Sequence, residues 1–260
     1  MSTASSFSDV LFAAEPIVRA AIGCGLGAMV GSFLAVILLR WPESRSAFRG
    51  RSRCDGCGET LRIWELVPIL SHLALRGKCR RCGAAIDPSH LLIELAAALI
   101  GLVALLAHPG LAGAAAALLG WWLLLVAALD ARHHWLPDAL TLPLVPAGLA
   151  FALLGLGPRL DQRLIGAAAG FLILWGIALV YRRVRGREGL GGGDPKLLAG
   201  LGAWLGWQQL PFVLLGSGLL GLAALLLARS RGATISATDR LPLGTLMALS
   251  AWPIWLLIVA

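Results

Sequence analysis

Charge is scarce in this chain. Of its 260 residues only 14% are charged while 58% are hydrophobic, against roughly 25% charged in a typical soluble domain. That shortage excludes an ordinary water-facing globular surface and requires an apolar solvent around much of the protein. Cations are missing altogether from the first fifteen residues, and no A-x-A-like site precedes the first apolar window. The segment therefore lacks the positive n-region of a cleavable signal, and the first span is expected to stay in the mature protein.

What the chain has instead is apolar windows. A helix needs roughly 20 such residues to cross a bilayer, fewer inside a bundle. Eight windows qualify, near 16–39, 91–107, 111–129, 139–156, 164–181, 195–210, 211–228 and 241–259, with the split at Gln208, Gln209 and Pro211 the weakest boundary. The expected fold is an all-α polytopic membrane bundle of about eight transmembrane helices. The net charge of +8 could suggest nucleic acid, but the cations are placed by topology. Residues 40–90, 130–138, 182–196 and 229–240 hold 10, 1, 5 and 3 Lys/Arg, leaving only Arg19, Arg159 and Arg163 on the other side. By the positive-inside rule these four richer loops are cytoplasmic, both termini face outward, and no nucleic-acid partner is expected. The partners expected are membrane lipids and a membrane substrate.

The expected organisation is a first span over 1–40, a cytoplasmic loop domain over 41–90 and a membrane domain over 91–260. In the first span Gly23, Gly25, Gly27 and Gly31 suit close helix packing, and Cys24 is assigned no chemistry. The loop carries CDGCG at 54–58 and CRRCG at 79–83. Two C-x-x-C pairs, each followed by glycine, signal a tetrahedral site made by Cys54, Cys57, Cys79 and Cys82, with structural Zn2+ because four thiolates leave no open position. Disulfides or a redox dithiol are the rival readings; a cytoplasmic loop disfavours the first, and the lack of a βαβ pattern disfavours the second. His72, His90, His108, His133 and His134 are read as interfacial. Glu94, just inside the second window, either pairs with a loop arginine or sits at the interface.

Two further acids stand out. Asp130 ends the third window, and Asp194 lies between a glycine run (189, 191, 192, 193) and an apolar stretch. Taken alone, Asp194 with Pro195 also reads as a helix N-terminus. The topology places both aspartates at the same cytoplasmic depth. Two carboxylates brought together there share a proton, so one can act as general base on water and the other as general acid. That is aspartyl-protease chemistry. Asp138 is read as the N-cap of the fourth window, Asp239 as an exposed loop residue, and Lys196 as a neighbour either of Asp194 or of lipid phosphate.

Several stretches together resemble the type IV prepilin peptidases, G-x-G-D aspartyl proteases of the bacterial inner membrane. They are GSFL at 31–34, ELVPILS at 65–71 between the cysteine pairs, LIEL at 92–95, LDARHHWLPD at 129–138, REGLGGGDPKLLAGLGAWLG at 187–206 and, in weaker form, LPLGTLMAL at 241–249. The resemblance implies that Asp130 and Asp194 are catalytic and that leaders of prepilins and pseudopilins in pilus and secretion systems are cut after a glycine on the cytoplasmic side. It also implies methylation of the new amine from S-adenosylmethionine, through residues that the motifs leave unassigned. Two positions depart from the pattern: Ala35 and Leu66 stand where the family usually has asparagine, so slower methylation is expected. The alternatives are a G-x-G-D protease with other substrates and a zinc-stabilised transporter or scaffold using the aspartates as an ion site.

Overall fold

The computed structural model describes residues 15–47, 51–187, 189–232 and 241–259. Asp239 and Arg240 lie outside them. Among the described residues every regular element is helical, apart from two isolated β-bridges. The chain forms two compact units, Met1–Leu125 and Val126–Ala260.

The first unit is built on α1 (Pro16–Arg40) and α3 (Ser89–Ala107), which pack along their lengths, with the short α2 (Leu70–Ala74) in the loop between them. The long α4 (Gly110–His133) begins here and runs through the unit boundary. Helices in an apolar solvent gain little from burying more apolar surface, so close approach of small residues has to hold them together. Gly23, Gly27 and Gly31 supply it. A Cβ on Gly23 would lie 2.2 Å from the Gly101 carbonyl oxygen, and one on Gly27 would lie 2.2 Å from that of Ala97. Trp121 locks the same seam by donating its indole N–H to the Ala97 carbonyl at 2.9 Å. Gly25, by contrast, faces open space.

The second unit comprises α5 (Asp138–Thr141), α6 (Leu144–Leu153), α7 (Leu160–Arg185), α8 (Asp194–Leu205), α9 (Leu210–Ser230) and α10 (Leu243–Ile258), together with the end of α4. At its centre is α8, in which every residue but Lys196 is buried. Glycines again set the spacing: Gly166 and Gly202 meet backbone to backbone, Gly170 meets Leu198, and Gly148 meets Ala203. Trp204 of α8 donates to the Leu144 carbonyl at 3.0 Å and stands edge-on to Trp255, ring centres 5.3 Å apart. Arg163, expected in an outer loop, is fully buried. Its guanidinium donates to the carbonyls of Gly148, Leu156 and Pro158 and lies over the Trp255 ring, so these oxygens take the place of an acidic partner.

Among the described residues five helices are long and apolar enough to cross a membrane: α1, α3, α4, α7 and the stretch Trp207–Ser230. The windows at 139–156, 195–210 and 241–259 correspond to shorter helices. The first breaks at Pro143 into α5 and α6, and α8 stops after twelve residues because Gly206 turns the backbone to φ 77°. The expected split falls close to its predicted place, with a 3-10 turn over Trp207–Gln209 and Pro211 in the first turn of α9. Leu164, Ile165, Leu172 and Ile177 of α7 are exposed, as a lipid-facing side requires.

Placing a branched side chain at Gly27 should force α1 and α3 apart at a cost of about 1–3 kcal/mol. Thermal unfolding in detergent should therefore show Gly27→Val markedly less stable than the parent and Gly25→Ala indistinguishable from it. Equal melting of the two variants would disprove the packing role.

Candidate functional site

Two constellations stand out, one in each unit. In the first, each C-x-x-C sits in a tight turn, and the two turns repeat one another. The Cys54 N–H donates to the Glu59 carbonyl at 2.9 Å and the Gly58 N–H to the Cys54 carbonyl at 2.9 Å; Cys79 pairs likewise with Ala84 at 2.8 Å, and Gly83 with Cys79 at 3.0 Å. Bridges Arg53 to Thr60 and Lys78 to Ala85 close the turns. Gly58 and Gly83 both adopt φ 71°, a left-handed conformation that explains glycine after each second cysteine.

The four sulfurs of Cys54, Cys57, Cys79 and Cys82 lie within 4.8 Å of one another and could hold a metal ion. The donor set fits. A tetrahedron with metal–sulfur bonds of about 2.3 Å has edges of about 3.8 Å, and Cys54 Sγ and Cys82 Sγ are 3.8 Å apart. Backbone N–H groups of Cys82 and Arg81 bring the Cys79 thiol down to about 6, while desolvation and the neighbouring sulfurs push Cys57 up to about 11, so Cys79 is the sulfur that most readily becomes a thiolate. His72 and His90 are outside this cluster and line a cavity beside it.

In the second unit Asp130 and Asp194 are each 6% exposed, and the charge of Asp130 is felt at Asp194. Each carboxylate meets the N-terminal end of a helix, where unpaired N–H groups and the helix dipole favour negative charge. Asp194 is the first residue of α8, and its Oδ2 turns back to accept the Gly191 N–H at 3.0 Å rather than capping the helix forward. Asp130 Oδ2 accepts the Thr245 N–H from the first turn of α10 at 2.7 Å, with Thr245 Oγ1 at 3.2 Å. The Thr245 hydroxyl is itself 2.9 Å from the Ala127 carbonyl.

The glycines around these acids divide the work. A Cβ on Gly191 would lie 3.0 Å from Asp194 Oδ2, and one on Gly244 would lie 3.0 Å from Asp130 Oδ2. Leu136 packs against both Gly193 and Gly244, so one side chain touches the backbone beside each aspartate. Gly192 faces open space and Gly189 lies on the Tyr181 ring. Asp138 does not cap its helix; Pro137 holds that position, and Asp138 pairs with Lys196 at 2.6 Å. Leu136, Gly244 and Thr245 lie in stretches that carry the family resemblance, but the sequence gives them no role, since no local spacing links α10 to Asp130.

A helical bundle with two buried carboxylates in one unit, and four cysteine sulfurs close enough to hold a metal ion in the other, is compatible with an integral-membrane hydrolase. Comparison with known proteins is consistent with this. The family described as Type IV leader peptidase matches residues 117–226, and the Bacterial Peptidase A24 N-terminal domain matches residues 26–108. The chain is 42% identical over 254 residues to a prepilin leader peptidase/N-methyltransferase of Pseudomonas aeruginosa, covering 87% of this chain and 86% of that one. A protein of the same name from Burkholderia pseudomallei is 42% identical over 265 residues, covering 91% and 85%. One from Aeromonas hydrophila is 40% identical over 252 residues, covering 86% of each. No solved structure matches the chain. The chain belongs to the type IV leader peptidase family. With five membrane-length apolar helices among its described residues, it is a bacterial inner-membrane protein.

Purified protein should carry about one tightly bound metal ion per chain, as a four-cysteine site does. Elemental analysis should find that Cys57→Ser loses it, whereas free, titratable thiols in the unaltered protein would refute the site.

Proposed function

We propose that the protein cleaves the leader peptide of type IV prepilins and pseudopilins at the cytoplasmic face of the membrane, with Asp130 and Asp194 as the catalytic pair. The observation that carries this reading is the burial of the two carboxylates within electrostatic reach of one another, each at a helix N-terminus. Two such acids hold one proton between them. The ionised partner takes a proton from water as the oxygen attacks the scissile carbonyl; the protonated partner donates to the carbonyl oxygen. The proton gained from water then passes to the leaving amine as the C–N bond breaks. The open space at Gly192 leaves room for an extended substrate strand beside Asp194.

In this reading residues 1–40 form the first span, 41–90 a cytoplasmic domain stapled by one structural zinc ion, and 91–260 the peptidase domain. The relatives' names add N-methylation, for which S-adenosylmethionine supplies the methyl group. Of the two departures, Ala35 is fully buried in α1 and Leu66 is exposed beside the loop cavity. Both belong to the first unit, whereas the aspartate pair belongs to the second. Methyl transfer is therefore expected to be slowed while cleavage is untouched.

Asp130→Asn and Asp194→Asn should each abolish cleavage of a prepilin in membranes while leaving the protein abundant, and Asp138→Asn should keep most activity. Robust cleavage by the Asp194 variant would sink the mechanism.

Thr245 offers a finer test, because its N–H is one of the donors to Asp130 and proline is tolerated in a first helical turn. A hydrogen bond to a charged group is worth about 1.5–3 kcal/mol, so Thr245→Pro should lower kcat by about 10- to 100-fold. Thr245→Val keeps the N–H and should lose less. A steady-state comparison in which Val is the worse of the two would remove the backbone donor from the account.

A further inference from the structure

The loop of the first unit encloses a cavity of about 210 Å³, walled by α1, the two cysteine turns and the start of α3. Its polar lining includes Asp55, Glu65, Asp87, His90 and Glu94. Most of these acids are already engaged: Glu65 with Arg80 at 3.0 Å, Asp55 with Arg45 at 3.0 Å, and Asp87 with the Ser89 N–H at 2.8 Å. Glu94 differs. It is 6% exposed, its Oε2 accepts the Ile69 N–H at 2.7 Å, and among the described residues no hydrogen bond reaches Oε1 and no arginine or lysine pairs with the group; the one basic side chain that feels its charge is the His90 imidazole, one helical turn earlier on α3. Neither a loop arginine nor an interfacial position accounts for it.

The Ile69 N–H is presented at a cost. Ile69 adopts φ 65°, a left-handed conformation that a β-branched residue rarely takes. Strain of this kind persists where the surroundings enforce it, and here it ends on the buried carboxylate. A carboxylate removed from water without a cation is expensive, and the natural remedy is a positive ligand in the adjoining space. The cavity is smaller than the roughly 300–1,000 Å³ of common ligand sites, so it suits the compact charged part of a ligand rather than a whole peptide.

Resting on the methyl transfer proposed above, we infer that this cavity binds the sulfonium end of S-adenosylmethionine, with the Glu94 carboxylate as the counter-ion of the sulfonium. The bipolar lining suits the amino-acid end of the same molecule, whose ammonium and carboxylate need partners of both signs. Arg40, Arg53 and Lys78 on the wall offer the cations. S-adenosylhomocysteine has the same shape but a neutral thioether. Glu94 should therefore tell the two apart by charge alone.

The test is equilibrium dialysis of each compound, radiolabelled, against the full-length protein in nanodiscs. The unaltered protein should prefer S-adenosylmethionine. Glu94→Gln retains the acceptor for the Ile69 N–H and should lose affinity for S-adenosylmethionine by about tenfold or more while binding S-adenosylhomocysteine as before; that retained binding also certifies the fold. Equal loss of both, or loss of neither, would overturn the role of Glu94. Ala85→Trp fills the cavity from its wall and should exclude both compounds. Undiminished binding of both by that variant would place the cofactor elsewhere. Prepilin cleavage, followed in parallel, reports on the aspartate pair, so failure of the peptidase reading registers separately from failure of the cavity.

Discussion

A short helix buried on every side can sit where it does only if its neighbours approach to backbone distance, and the second unit is arranged around that constraint. Along α8, Gly202 meets Gly166, Leu198 meets Gly170 and Ala203 meets Gly148 at separations that a single methyl group would spoil. The burial this achieves is what gives Asp194 its setting: a carboxylate at the mouth of a dry helix, held by one backbone N–H and exposed to the field of a second carboxylate. In water the same two acids would ionise independently and do nothing together. Chemistry at this site is thus a property of packing before it is a property of the acids.

The first unit solves a related problem by different means. Its helices are also glycine-packed, but its aqueous loop has little apolar material to bury: the residues of α2 are at best partly covered, and Ile63 and Leu70 stay exposed. Two small turns that bring four sulfurs within 4.8 Å of one another stand where a core would be, as expected of a segment too small to fold on burial alone. Ion pairs on the surface of this loop, such as Arg81 with Glu59, add little in water.

How much of this was legible depended on whether a signal was local. Long apolar runs identified the helices that became α1, α3, α4 and α7, and the spacing of Cys54, Cys57, Cys79 and Cys82 pointed to a cluster because each pair is confined to one turn. Hydropathy misjudged two lengths: α8, covered by protein along almost all of its length, ends where Gly206 turns the backbone, and the 139–156 window is broken at Pro143. Partners distant in sequence were invisible. Thr245 and Asp130 are separated by 115 positions, and Ile69 and Glu94 by 25, with no pattern to join them. The glycine run before Asp194 was recognised as unusual, yet its division into a cradle at Gly191, a seat for Leu136 at Gly193 and an open position at Gly192 needed three dimensions.

The likeness of the two cysteine turns carries one more consequence. Each is closed by a single bridge and a few backbone hydrogen bonds, too little to persist alone, and each supplies half of the sulfurs. With the zinc ion proposed above, assembly of the loop is all or none with respect to the ion, and the wall of the neighbouring cavity, which includes Cys54 and Cys79, assembles with it. On the functions proposed here, a cell starved of metal would go on trimming its pilins through the glycine-packed unit while ceasing to methylate them, so the modification state of the pilus would record the supply of zinc.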